Sequence, residues 1–186
     1  MALHVRPRPS RQLQLFEKRT DGVLMNAIPQ KSDDFKRIRE ARPSEMVEIM
    51  RHRRGMYTDM GFEDATALDA MEHTSEEFIR KAIIDGEYHQ WFAETSQSRV
   101  IGGVAVLVHP WVSSPTNPRP ERAYVLNMYV YPEFRRQGIA RELMRTAIEW
   151  CRKHRFRSLY LHASENGRRL YEELGFKSTN EMRIEF

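Results

Sequence analysis

Met128-Tyr129-Val130-Tyr131-Pro132-Glu133-Phe134-Arg135-Arg136-Gln137-Gly138-Ile139-Ala140 is the stretch on which the fold of this chain turns. Its aromatic and β-branched start reads as a strand, and Pro132, which lacks an N–H, ends the pairing. A basic loop follows, and Gly138 opens a helix whose Ile139, Ala140, Leu143, Met144, Ala147, Ile148 and Cys151 form one apolar stripe. A helix start carries unpaired N–H groups and the positive end of the macrodipole, so the junction suits an anion. Without a Cβ, Gly138 lets a phosphate come close to the backbone. Arg135 and Arg136 add charge-assisted donors beside it.

Upstream, the alternation over 35–41 predicts a half-exposed first strand. Pro43-Ser44-Glu45 starts a helix that carries Met46, Val47, Met50, Tyr57 and Met60 and stops at Gly61. Ala65, Leu68 and Met71 mark a second helical piece, and Thr74-Ser75-Glu76-Glu77 caps a third that ends at Asp85-Gly86. Strands follow over 88–94, 99–108 and 123–131, with a bulge expected at Gly102-Gly103. The proline-rich run 110–122 reads as a stiff surface loop. Downstream lie a short strand at 158–162, a short helix at 165–174 stopped by Gly175, and an expected strand pair within 176–186. This order predicts a mixed sheet with helices on both faces.

With 186 residues, 40% apolar and 30% charged, the chain suits one domain over 31–186 behind a basic, flexible tail at 1–30. Residues 1–20 hold Arg6, Arg8, Arg11, Lys18 and Arg19 against Glu17, a net +4 that equals the charge of the whole chain. Residues 21–186 are therefore formally neutral, so the basicity belongs to the tail, which reads as a solvated segment. Met25 is an alternative start. No apolar run approaches the roughly 20 residues of a membrane span, and the first 30 lack the apolar centre of a secretory signal. One cysteine, Cys151, excludes an internal disulfide and suits a reducing cytoplasm; its place on the apolar stripe makes it a buried thiol. No Gly-x-x-x-x-Gly-Lys-Ser/Thr loop or Gly-x-Ser-x-Gly elbow occurs, and the seven histidines are scattered, so no metal site is expected.

Arg135-Arg136-Gln137-Gly138-Ile139-Ala140 fits the pattern Gln/Arg-x-x-Gly-x-Gly/Ala. One strand later comes Leu170-Tyr171-Glu172-Glu173-Leu174-Gly175-Phe176. In this order and spacing the two blocks resemble those of the GCN5-related N-acetyltransferase (GNAT) superfamily, specifically over 123–178 and in element order alone over 35–108. The resemblance implies an α+β fold with a mixed, mostly antiparallel sheet of six to seven strands, splayed at the cofactor site. It implies acetyl-CoA as co-substrate and an amine acceptor, with no metal and no membrane, and a homodimer is compatible with it. Backbone groups of Met128, Tyr129 and Val130 would pair with the pantetheine arm and polarise the acetyl carbonyl. The N–H groups of Arg136, Gln137, Gly138, Ile139, Ala140 and Arg141 would hold the pyrophosphate. Tyr171 would protonate the thiolate that leaves.

Two positions depart from the pattern. Many relatives carry an asparagine seven residues before the tyrosine; here Ser164 stands there, with Asn166 two residues on. Several relatives place a glutamate in the strand before the loop, whereas 123–130 holds no carboxylate. Glu121 and His109 are the nearest ionisable candidates for a base, ordered water is the third, and the base stays unassigned. The competing reading is a degenerate CoA-binding regulatory module whose basic tail binds nucleic acid.

Overall fold

The computed structural model describes residues 34–186. The basic segment 1–30 and Met25 lie outside the described residues. Five strands form one sheet in the order β1 (Phe35–Glu40), β2 (Tyr88–Thr95), β3 (Val100–Pro110), β4 (Glu121–Val130) and β5 (Leu159–Tyr160). The first four pair antiparallel, and β5 joins β4 in parallel. The helices are α1 (Met46–Asp59), α2 (Ala65–Ile84), α3 (Ile139–Lys153) and α4 (Glu165–Glu173).

Strand alternation sends successive side chains to opposite faces, and each face has its own core. On one, Met46, Ile49 and Met50 of α1 and Ile79 and Ala82 of α2 pack on Tyr88, Phe92 and Ala105. On the other, Ile139, Leu143, Met144, Ala147 and Cys151 of α3 and Tyr171 of α4 cover Trp91, Ala93, Val104, Val106 and Val125. Leu143 and Met144 are fully buried, each contributing about 1.5–3 kcal/mol of hydrophobic stabilisation. The burial of Cys151 pushes its thiol up to about 12, so it stays an uncharged packing group. The stripe on α3 thus mounts the anion loop rigidly on the sheet.

Three sequence expectations change. The sheet has five strands among the described residues rather than six to seven, because 176–186 runs without regular structure. Met182, Ile184 and Phe186 alternate with charged residues like a strand, yet all three are exposed, so no apolar face rewards pairing. The second and third helical pieces are one helix of 20 residues, capped by Asp64, whose carboxylate accepts from Thr66 and Ala67 N–H. Thr74 does not start a helix, because its hydroxyl donates to the Ala70 carbonyl one turn back at 3.0 Å. The third concerns the bulge. β2–β3 pairing shifts by one residue beside Gly102, as expected, and a second one-residue bulge that the sequence did not signal lies on β4, where Gly103 faces Tyr129 and Ala105 faces Leu126. The extra residue lies at Asn127-Met128, and Asn127 takes the left-handed conformation with φ 51°.

Candidate functional site

The pairing of β4 with β5 stops after Ala123–Leu159 and Tyr124–Tyr160. From 125 to 130, β4 has no strand partner on that side among the described residues, so the sheet forks. The N–H of Tyr131 donates to the Ile101 carbonyl at 3.0 Å. Backbone groups alternate sides along a strand, so those of Val130 face away from β3 and into the fork. The Val130 carbonyl there accepts from Arg135 Nε at 2.9 Å.

At the end of the fork lies a cleft of about 480 Å³ between the start of α3 and the side of α4. Val130, Arg135, Arg136, Gly138, Ile139, Ala140, Arg141 and Asn166 all line it, together with Arg169, Leu170 and Glu173. Gly138 is the residue before α3 and is left-handed at φ 82°, while Arg136 is left-handed at φ 64°. Left-handed residues two apart turn the loop's N–H groups toward a common point, an anion-binding nest. The Gly138 carbonyl accepts from Arg141 and Glu142 at 3.0 and 3.2 Å, which starts the helix; Ile139 and Ala140, in its first turn, have no carbonyl one turn back. A Cβ on Gly138 would meet nothing within 4 Å, so it would project into the open cleft. These groups fit a pyrophosphate.

The arginines divide by role. Arg135 is tied at both ends, by Nε to Val130 and by its guanidinium to Asp59 of α1. It buttresses the loop rather than offering a free charge. Arg141 and Arg169 both pair with Glu173, and these two cations hold its carboxyl below the usual range. Among the described residues Arg136 makes no ion pair, so it is the cation available to a bound anion. Gln137 lies outside the lining and reaches the Glu133 carbonyl at 3.5 Å. Ser164 caps α4 by accepting from Gly167 N–H at 3.2 Å, so its oxygen serves the helix. Asn166 is the amide that faces the cleft.

Met128 is half-buried beside the α3 core, and Tyr129 points to the other face, its ring close over Gly55 of α1. Only their main chain is therefore available to the fork. The ring of Tyr171 lies back over Gly167 and 5.9 Å from Phe176, as a helical aromatic does when it points toward the N-terminus. Burial raises its pKa above the ordinary phenol value, so at neutral pH it is fully protonated.

The sequence reading missed a buried polar chain that holds the bulge. Arg53 of α1 donates by Nη1 to Asn127 Oδ1 at 2.9 Å and by Nε to Ser75 of α2 at 2.8 Å. Asn127 Nδ2 donates to Tyr88 Oη at 2.7 Å, and that hydroxyl donates to Gln90 Oε1 at 3.0 Å. Burial keeps Tyr88 a neutral phenol. The available signal was one asparagine inside the apolar run Tyr124-Val125-Leu126-Asn127-Met128. Of the two candidate bases, Glu121 is paired with Arg119 at 2.6 Å at the outer end of β4, and His109 Nδ1 lies 3.2 Å from the Pro110 carbonyl. The His109 ring lies 6.5 Å from that of Tyr124, on the β3 side of the strand.

A larger hollow of about 560 Å³ opens beside Glu45, Glu48, Arg51, Arg99 and Tyr131. Its charges are compensated: Arg51 and Tyr131 both donate to Glu48, Glu45 pairs with Arg39, and Arg99 pairs with Glu133.

Residues 46–176 match the family model of the acetyltransferase (GNAT) family, and the chain belongs to that family. It is similar to a GCN5-related N-acetyltransferase from Ralstonia eutropha JMP134, at 30% identity and a TM-score of 0.75, over 81% of this chain and 97% of the other. The fold is shared with a predicted acetyltransferase from Clostridium acetobutylicum solved with acetyl-CoA (22% identity, TM-score 0.73, 81% of this chain and 95% of that one). Among curated relatives, N-acetyltransferase 8 of Homo sapiens is 34% identical over 94 residues, which take in 49% of this chain and 39% of the human protein. The chain thus matches less than half of that relative's length.

Proposed function

We propose that the protein transfers the acetyl group of acetyl-CoA directly to a primary amine of a small molecule or a peptide. The observation that carries this reading is the fork in the sheet opening onto the nest at Gly138, with α4, which carries the buried Tyr171, forming the other wall of the cleft through Asn166, Arg169 and Leu170. The nest and Arg136 would hold the pyrophosphate, and the Val130 main chain would pair with the amide-bearing arm. The N–H groups at the Asn127-Met128 bulge would stabilise the oxyanion of the tetrahedral intermediate. Tyr171 would give a proton to the departing thiolate, whose ordinary pKa is about 8.5. The cytoplasm fits a chain with one buried thiol.

The test is release of free thiol from acetyl-CoA with a panel of primary amines. Turnover with at least one amine, and a matching acetylated product by mass, is the expected result. Tight acetyl-CoA binding with no transfer to any amine would leave the regulatory-module reading instead. Tyr171→Phe should lower kcat about 100-fold and leave the affinity for acetyl-CoA unchanged, as loss of a general acid does. An undiminished kcat removes Tyr171 from the chemistry.

A further inference from the structure

We infer that His162, oriented by Tyr124, takes the proton of the acceptor amine. This rests on the acetyl-transfer reading and supplies the base that the sequence left unassigned. The placement follows from the register. Tyr124 and Tyr160 are the last paired residues of β4 and β5. His162 comes two residues later on the β5 side, so its side chain stands on the same face as Tyr160 and at the mouth of the fork. It is exposed, and its Nδ1 shares a hydrogen bond with the Tyr124 hydroxyl across the gap. That contact leaves Nε2 as the nitrogen open to a ligand.

The thioester reaches this point by length alone. From Val130, beside the nest, back to Leu126 is four residues, about 13 Å of strand at roughly 3.3 Å each. An extended arm along the open edge of β4 therefore ends next to the Tyr124–His162 pair. The pair lies on the α1/α2 face of the sheet, with Leu107 and Leu126, and the cleft lies between α3 and α4. Acetyl donor and amine thus meet at the fork from opposite faces. Glu121 is taken up by Arg119, and the His109 ring lies 6.5 Å from that of Tyr124 on the β3 side, away from the open edge of β4. Arg53 of α1, which holds Asn127, is a cation.

Arginine, histidine and carboxylate side chains surround the Tyr124–His162 pair. Arg122 of β4 lies 3.7 Å from the Tyr160 ring and 5.8 Å from that of Tyr124. The ring of His109 of β3 is tilted against that of Tyr124 at 6.5 Å, and Glu181 from the C-terminal segment pairs with Arg122 at 3.2 Å. Burial, with Glu181 adding to it, raises the Tyr124 pKa, so Tyr124 stays a neutral partner rather than an alternative base. With Nδ1–H donated to the Tyr124 oxygen, Nε2 carries the lone pair. The ammonium form of the acceptor gives one proton to Nε2, and its nitrogen pair forms the N–C bond. The C–S bond breaks as Tyr171 protonates the departing thiolate, and the second proton on the nitrogen passes through water to restore the phenol. Solvent then removes the proton from His162.

The test uses two nucleophiles with the full chain: an alkyl primary amine, ordinarily charged at pH 7 with a pKa of about 10 as for lysine, and a hydrazide, already neutral there. His162→Ala and His162→Gln should each lower kcat/KM for the alkyl amine about 100-fold, the usual worth of a general base. Both should largely spare the hydrazide and leave acetyl-CoA affinity unchanged. Tyr124→Phe should cost less and shift the acidic limb of the pH profile rather than abolish it. Equal loss for both nucleophiles, or no loss for either, overturns the assignment. Failure of the unaltered protein to acetylate any amine is a different outcome, and takes down the acetyl-transfer reading with it.

Discussion

Gly138→Leu is expected to weaken acetyl-CoA binding at least about 100-fold while the protein stays folded. Two effects combine at this residue. Its φ of 82° is a conformation that costs an L side chain roughly 1–2 kcal/mol, so leucine pulls the loop toward an ordinary geometry and dismantles the nest. Any side chain it carries also enters the open space over the first turn of α3, where the anion belongs. Gly138→Asn separates the two, because asparagine tolerates the left-handed region yet still has a side chain. It should therefore keep the thermal midpoint of the parent and lose most of the affinity. Equilibrium titration with acetyl-CoA, alongside thermal unfolding, reads both. Unchanged affinity in both variants would remove Gly138 from the anion site.

What made this junction legible is that its signals are local. A strand-ending proline, a glycine and a 3.6-residue stripe lie within about two dozen residues, and each acts through its own backbone. The cleft lining follows from the same stretch, apart from α4, which the second block placed. Features that depend on distant pairings were not legible. The bulge beside Gly102 was legible from its glycines, but the second one at Asn127 was not, because it is held by side chains from α1 and β2. Ser164 could not be told apart from a ligand contact until its role as a helix cap was visible. The 176–186 segment has strand alternation but no strand partner among the described residues, and pattern alone does not report that. His162 gave no signal at all, because it pairs with Tyr124 only once the parallel β5 brings 124 and 162 together.

Asn127→Ala should be the most destabilising single change at the fork, by about 3–5 kcal/mol. Its side chain is 1% exposed and serves two partners at once. Alanine leaves Nη1 of the half-buried Arg53 without its Asn127 acceptor and the buried Tyr88 hydroxyl without its donor, each loss costing about 1–3 kcal/mol. It also places a Cβ residue at φ 51° with no side-chain amide to compensate, adding roughly 1–2 kcal/mol. For a domain of this size the midpoint should fall by about 8–15 °C. Asn127→Gly relieves the backbone and not the polar loss, so it should recover only about 1 kcal/mol of the deficit. Asn127→Asp keeps an acceptor for Arg53 and can accept from Tyr88, so it should be the mildest of the three. If glycine restored full stability, the Arg53–Asn127–Tyr88 chain would contribute nothing and the bulge would be held by backbone alone. The chain joins α1, β4 and β2, so loosening it should also cost turnover at temperatures where the variants remain folded. A drop in kcat larger for alanine than for aspartate, at matched folded fraction, is the outcome expected of a bulge that aims N–H groups at the thioester.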